Sequence, residues 1–158
     1  MEKIDIYLDD VRTPLHPDWV VVRDYHEFVA KVEEVGLENI HIISLDHDLG
    51  DQAMYEYYTN VKNNYSLDYN NIQEKTGYDC CKYLVTKSID TGIPLPTVYV
   101  HSANPIGSAN MLGYINNYLM NCRLPQSCVR INIPHKIEEQ FEMSPEARKA
   151  KWDRNTPK

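Results

Sequence analysis

Apolar positions along the chain fall into two rhythms. Short blocks rich in β-branched residues predict strands over residues 3–8, 19–23, 39–45, 97–100 and 128–133. Between them the spacing turns helical. Phe28, Val29, Val32 and Val35 follow a helical stripe, with Asp24 as N-cap, Glu27 completing a capping box and Gly36 as the stop. A second helix is expected from Gly77-Tyr78-Asp79 through Cys81, Leu84, Val85 and Ile89 to Thr91-Gly92. After a turn over Pro105 to Gly107, a third places Met111, Leu112, Ile115, Tyr118 and Leu119 on one face.

Two stretches break the alternation. Only about ten residues, with Pro14 and Pro17 among them, separate the first two strands, too few for an ordinary crossover helix. Either that connection is a loop or the second strand is misplaced. Between Asp51 and Thr76 no period is sustained, although Met54 to Val61 can make one or two helical turns. This insertion gathers Tyr55, Tyr57, Tyr58, Tyr65 and Tyr69, and it is expected to be either a lid or an aromatic surface flap. Strands alternating with helices otherwise predict an α/β fold on a parallel sheet. The domain is expected to span residues 1–136, followed by a charged tail, 137–158, in which Ser144 to Trp152 can start a short helix.

Composition narrows the function. At 158 residues the chain is long enough to bury a core as one domain. A net charge of −7 argues against duplex DNA as a partner, since that needs clustered cations. No apolar run approaches the roughly 20 residues of a membrane span, and the first residues carry acid and no signal-peptide core, so a cytoplasmic protein is expected. Cys80, Cys81, Cys122 and Cys128 form no Cys-x-x-Cys pair and read as small hydrophobes.

The polar residues of interest follow the strands. Asp9 and Asp10 come after the first, and Asp46, His47 and Asp48 after the third, inside Ser44-Leu45-Asp46-His47-Asp48-Leu49-Gly50. His101, Ser102 and Asn104 follow the fourth, and His135 the fifth. In an open parallel sheet these positions share the ligand-binding edge. Carboxylates gathered there require a cation or shared protons. An oxygen-rich set of Asp9, Asp10 and Asp46 suits Mg²⁺, and a mixed set with histidine also accepts Mn²⁺ or Zn²⁺. The competing reading makes some of these aspartates helix caps. His16, His26 and His41 read as structural.

Four segments carry a family resemblance: Leu8-Asp9-Asp10-Val11-Arg12-Thr13-Pro14, Ser44 to Gly50, Gly77-Tyr78-Asp79 and His101-Ser102-Ala103-Asn104-Pro105. An acidic pair, a later aspartate, a Ser or Thr and a final proline resemble the receiver domains of response regulators over residues 2–135. The chain is most similar to an atypical branch described as cyclic-phosphate-processing receiver domains. The resemblance implies a three-layer, flavodoxin-like fold with a five-stranded parallel sheet, here lacking its first crossover helix and carrying a long insertion after strand three. Receivers hold a lysine just before the final proline, and here Ile133 stands there.

Together with the strand-end histidines, the resemblance implies a phosphoesterase that opens a cyclic phosphate, with a small phosphorylated or nucleotide ligand as partner. His47 and His101 would exchange protons, and Asp46 would orient His47 or, with Asp9, hold a divalent cation. Arg12, Ser102, Asn104 and His135 would contact the phosphate. Two rivals remain: a receiver phosphorylated on Asp46, and a non-catalytic nucleotide binder.

Overall fold

The computed structural model describes residues 2–14, 16–122 and 129–130, the last pair by backbone alone. Four parallel strands carry the sheet: β1 (Ile4–Leu8), β2 (Trp19–Val22), β3 (Ile40–Leu45) and β4 (Thr97–Val100). The short pair Val129–Arg130, β5, continues the sheet beside β4, giving the order β2-β1-β3-β4-β5. The remainder of the expected fifth strand, with Ile133, His135 and the tail, lies outside the described residues. This order and connectivity are those of a receiver or flavodoxin-like fold.

The short connection from β1 to β2 is a loop, as the prolines imply. β2 is nonetheless a genuine neighbour of β1, with Leu8 opposite Val22. The loop is tied from within: the Arg23 guanidinium donates to the carbonyls of Asp9 and Arg12 and to the Thr13 hydroxyl.

Alternation along the strands divides the core. Ile6, Leu8, Ile43, Leu45, Val98 and Val100 face the helices α1 (Tyr25–Val35), α4 (Gly77–Thr91) and α5 (Pro105–Asn121). Phe28 and Val32, Leu84 and Val85, and Met111, Ile115 and Leu119 complete that main core. Tyr7, Trp19 and Ile42 point to the opposite face, packed with half-buried Tyr99.

The helix signals hold in outline and differ in detail. Asp24 caps α1 by accepting from the Glu27 amide, while the Glu27 carboxylate reaches the Arg23 amide, one residue earlier than a capping box requires. A full capping box opens α4 instead, from Thr76 and Asp79. The expected turn at Pro105–Gly107 is the first turn of α5, because Pro105 lacks only an amide that a helix start leaves unbonded.

The insertion departs furthest from expectation. It runs as α2 (Asp51–Glu56), a π-helical turn (Tyr57–Val61) and α3 (Lys62–Asn64), and later forms a 3₁₀ turn at Tyr69–Asn71. Buried Glu56 ties this segment to itself by accepting from the Asn60 and Asn71 side chains and the Asp68 amide. Among the described residues no helix is long and apolar enough to cross a membrane.

Candidate functional site

Three strand ends build the site. β1 releases Asp9, β3 releases Asp46, His47 and Asp48, and β4 releases His101 and Ser102. Ladder bonds continue past the strands, from the Asp46 amide to the Leu8 carbonyl and from the His101 amide to the Leu45 carbonyl. These fix the polar residues on a rigid edge rather than on free loops.

Asp9 is fully buried and bonded through both carboxylate oxygens. One carboxylate oxygen accepts from the Val11 and Arg12 amides, and the other from Arg12 Nε at 2.7 Å and His101 Nε2 at 3.1 Å. Arg12 also comes within 3.4 Å of Asp46 through a terminal guanidinium nitrogen. His101 reaches over β3: its Nδ1 lies 2.7 Å from Ser44 Oγ, while Nε2 meets Asp9 of β1. The Tyr7 ring stacks on His101, with centroids 4.3 Å apart and planes within 9°.

Asp46 accepts from the His47 amide and bonds the Ser102 side chain. His47 itself turns inward to a separate group. Its Nδ1 lies 2.7 Å from Asp48 Oδ1 and its Nε2 2.9 Å from the Tyr69 hydroxyl of the insertion. Asn104 donates to Asp48 and caps α5 through the Gly107 amide, while Asn110 donates to Tyr69. Asp48 is therefore a partner of the imidazole and not a helix cap, and it, not Asp46, orients the His47 ring.

Close packing holds both motifs in place. A Cβ on Gly107 would overlap the His47 ring, and one on Gly77 would overlap the Asp46 carbonyl oxygen. The Gly77 amide also donates to the His47 carbonyl. Gly77→Ala is accordingly expected to destabilise the fold by about 1–3 kcal/mol, the usual cost of forcing atoms into a packed position. Chemical denaturation checks this, and a wild-type midpoint in the variant would contradict the close approach.

Electrostatics separate the aspartates. Burial raises the Asp9 carboxyl, but the His101 hydrogen bond and the Arg12 charge outweigh it, so Asp9 ends below the ordinary range. Asp46 is raised by burial and by the charge of Asp9, against the opposing pull of Arg12. Asp10, half-buried, is pushed up to about 6 by burial and by Asp9.

One ligand oxygen each from Asp9, Asp10 and Asp46 lies within 4.8 Å of the others. Three hard oxygen donors, two of them with carboxyls raised by burial and by the charge of Asp9, fit a divalent cation such as Mg²⁺. Such an ion would compete with protons on Asp10 and Asp46. Mg²⁺ affinity measured by calorimetry is thus expected to rise between about pH 5 and pH 7.5, as both lose their protons. Affinity independent of pH in that window would argue against these ligands.

Of the residues singled out from sequence, Asp9, Arg12, Asp46, His101 and Ser102 meet in one network, with Asp10 beside it. His47 is joined through Asp48 and Asn104. His135 lies outside the described residues. Sequence reasoning did not find Tyr69, Ser44 or Tyr7, nor the role of Asp48; Tyr69 stood out only as one of five tyrosines in an aperiodic stretch.

A family model described as the cyclic-phosphate processing receiver domain matches residues 4–117. No curated protein and no solved structure matches the chain.

Proposed function

Because the chain belongs to the cyclic-phosphate-processing receiver domains, we propose that it is a phosphoesterase that opens a cyclic phosphate at the edge formed by β1, β3 and β4. The observation that carries this reading is the position of Arg12. Its guanidinium spans Asp9 and Asp46 while remaining about a quarter exposed, which suits a phosphate lying between it, Ser102 and the acidic pocket. Asp9, Asp10 and Asp46 would hold a divalent cation there, which when bound neutralises phosphate charge.

In the proposed step a water oxygen forms a bond to phosphorus and one ring P–O bond breaks. The water gives up a proton and the leaving oxygen gains one, so an open phosphomonoester results. The two Asp–His couples, His101 with Asp9 and His47 with Asp48, carry this proton traffic. Both imidazoles are fully buried, as is Asp9, so each histidine acts together with the carboxylate it bonds. Such acid–base groups typically contribute about 10²–10⁴-fold each.

A second reading, a nucleotide or phosphate binder without turnover, is favoured by one fact: both ring nitrogens of each histidine already have partners. A panel of nucleoside 2′,3′- and 3′,5′-cyclic phosphates and an ADP-ribose cyclic phosphate, incubated with protein and Mg²⁺, separates the two. Ring opening that falls at least about 10²-fold in His101→Gln supports the phosphoesterase. Tight binding with every ligand recovered intact supports the binder.

A further inference from the structure

The structure holds a recess beside the strand-end site. Tyr69, Tyr78, Lys75, Lys82, Thr76 and Asp79 line a cleft of about 230 Å³ between the insertion and the start of α4. Its wall is aromatic. Tyr69 and Tyr78 stack with centroids 5.2 Å apart, and Tyr114 supports Tyr78 edge-on.

The acids and bases around this cleft are not equivalent. Asp79 is committed to the capping box of α4 and Glu74 to the Ala53 amide. The two ammonium groups are held more loosely. Lys75 lies over the Tyr25 ring and Lys82 over the Tyr78 ring, and the contact of Lys82 with Asp79 is long, at 3.9 Å. Aromatic faces beside weakly engaged cations suit a planar base carrying a phosphate.

Tyr69 connects this cleft to the chemistry. Its ring forms part of the cleft wall, and its hydroxyl contacts His47 Nε2. The same hydroxyl accepts from the Asn110 side chain, so Tyr69 is held against the His47 ring. A molecule in the cleft therefore touches the residue that covers His47.

We propose that this cleft is the nucleoside pocket of the site: the base packs against the Tyr69–Tyr78 wall and a further phosphate of the nucleotide pairs with Lys75 and Lys82. The substrate class is then a nucleotide with a phosphate beyond the cyclic one, rather than a bare sugar phosphate. This rests on the phosphoesterase reading for the cyclic phosphate, but not for the base.

The test is equilibrium binding, which needs no turnover. Uridine 2′,3′-cyclic phosphate, the same compound with a 5′-phosphate, and ribose 2,3-cyclic phosphate are titrated into wild type and into the Lys75→Ala/Lys82→Ala variant, whose exchanged side chains are exposed. Both uridine compounds should bind on the order of tenfold or more tightly than the ribose compound, as base stacking provides. The 5′-phosphate should strengthen binding further in wild type and not in the lysine variant. Equal or absent binding of nucleotide and ribose 2,3-cyclic phosphate, or a variant indistinguishable from wild type, overturns the pocket. Base-dependent binding without ring opening leaves the pocket and removes the chemistry. Ring opening of a ribose cyclic phosphate as fast as of the nucleotides does the reverse.

Discussion

Asp9→Ala is expected to cost about 3 kcal/mol of stability and to lower the melting temperature by roughly 10 °C at neutral pH. No other described carboxylate carries so much. The substitution strips acceptors from two backbone amides, from Arg12 Nε and from His101 Nε2 at once. It removes the acceptor of a buried imidazole nitrogen and the nearer of the two carboxylates that Arg12 contacts, and donors orphaned in this way cost more than the bonds themselves contribute. The sign with pH follows from the lowered Asp9 carboxyl. Its stabilisation is present above the ordinary carboxylate value, about 4, and fades as pH falls through the lower folded value. Thermal melts of wild type and variant should therefore converge toward pH 2. A gap that widened in acid would contradict this.

Asp46→Asn is expected to behave in the opposite way on stability and more severely on activity. Asp46 is raised, so the folded state holds its proton more tightly than the unfolded chain does. Its contribution is most favourable below about pH 4 and is lost as pH climbs toward neutrality. Asparagine keeps an oxygen for the His47 amide and cannot ionise. In chelator, without divalent ions, the variant should be at least as stable as wild type at pH 8, with the difference shrinking toward pH 4. Its ring-opening activity should nevertheless fall at least about 10²-fold, because the charge that a cation and a phosphate site are built around is gone. A variant both active and less stable at pH 8 would refute the assignment.

That two aspartates at neighbouring strand ends answer pH in opposite senses was not legible in sequence. The strands were, because β-branched runs ending in acid mark buried segments that stop at a solvent edge, and β1, β3 and β4 lie within a residue or so of their expected bounds. The missing first helix was legible in part, since about ten residues with two prolines are too few for a crossover helix, but only the pairing of β2 with β1 rules out a misplaced second strand. What sequence could not supply was pairing across distance. His101 meets Asp9 from 92 positions away by reaching over β3, and no local pattern encodes that reach. Asp48 was open to reading as a helix cap because Asp is a common N-cap residue, yet the imidazole of His47 claims it. The insertion read as aperiodic because a π-helical turn shifts its register and because Glu56 holds it by side-chain bonds to Asn60, Asp68 and Asn71. Tyr69 became a site residue only once that return path was built.

The same folding logic unites the site. Gly77 and Gly107, each at the first turn of a helix, allow α4 and α5 to press against the Asp46-His47 backbone and ring. Receiver topology thus supplies an acidic edge, while Arg12 supplies a cation within it, from the loop that replaces the first helix. With Ile133 where receivers carry lysine, Arg12 is the basic group the structure places on Asp46.

On the proposed reading this acidic edge opens a cyclic phosphate. Phosphorus NMR of a nucleoside 2′,3′-cyclic phosphate incubated with Mg²⁺ and either wild type or Asp46→Asn tests it most directly. Wild type is expected to convert the cyclic resonance to a phosphomonoester resonance, at a rate at least about 10²-fold above that of the variant. A cyclic resonance that persists unchanged with wild type, or that decays equally fast with both proteins, would contradict it.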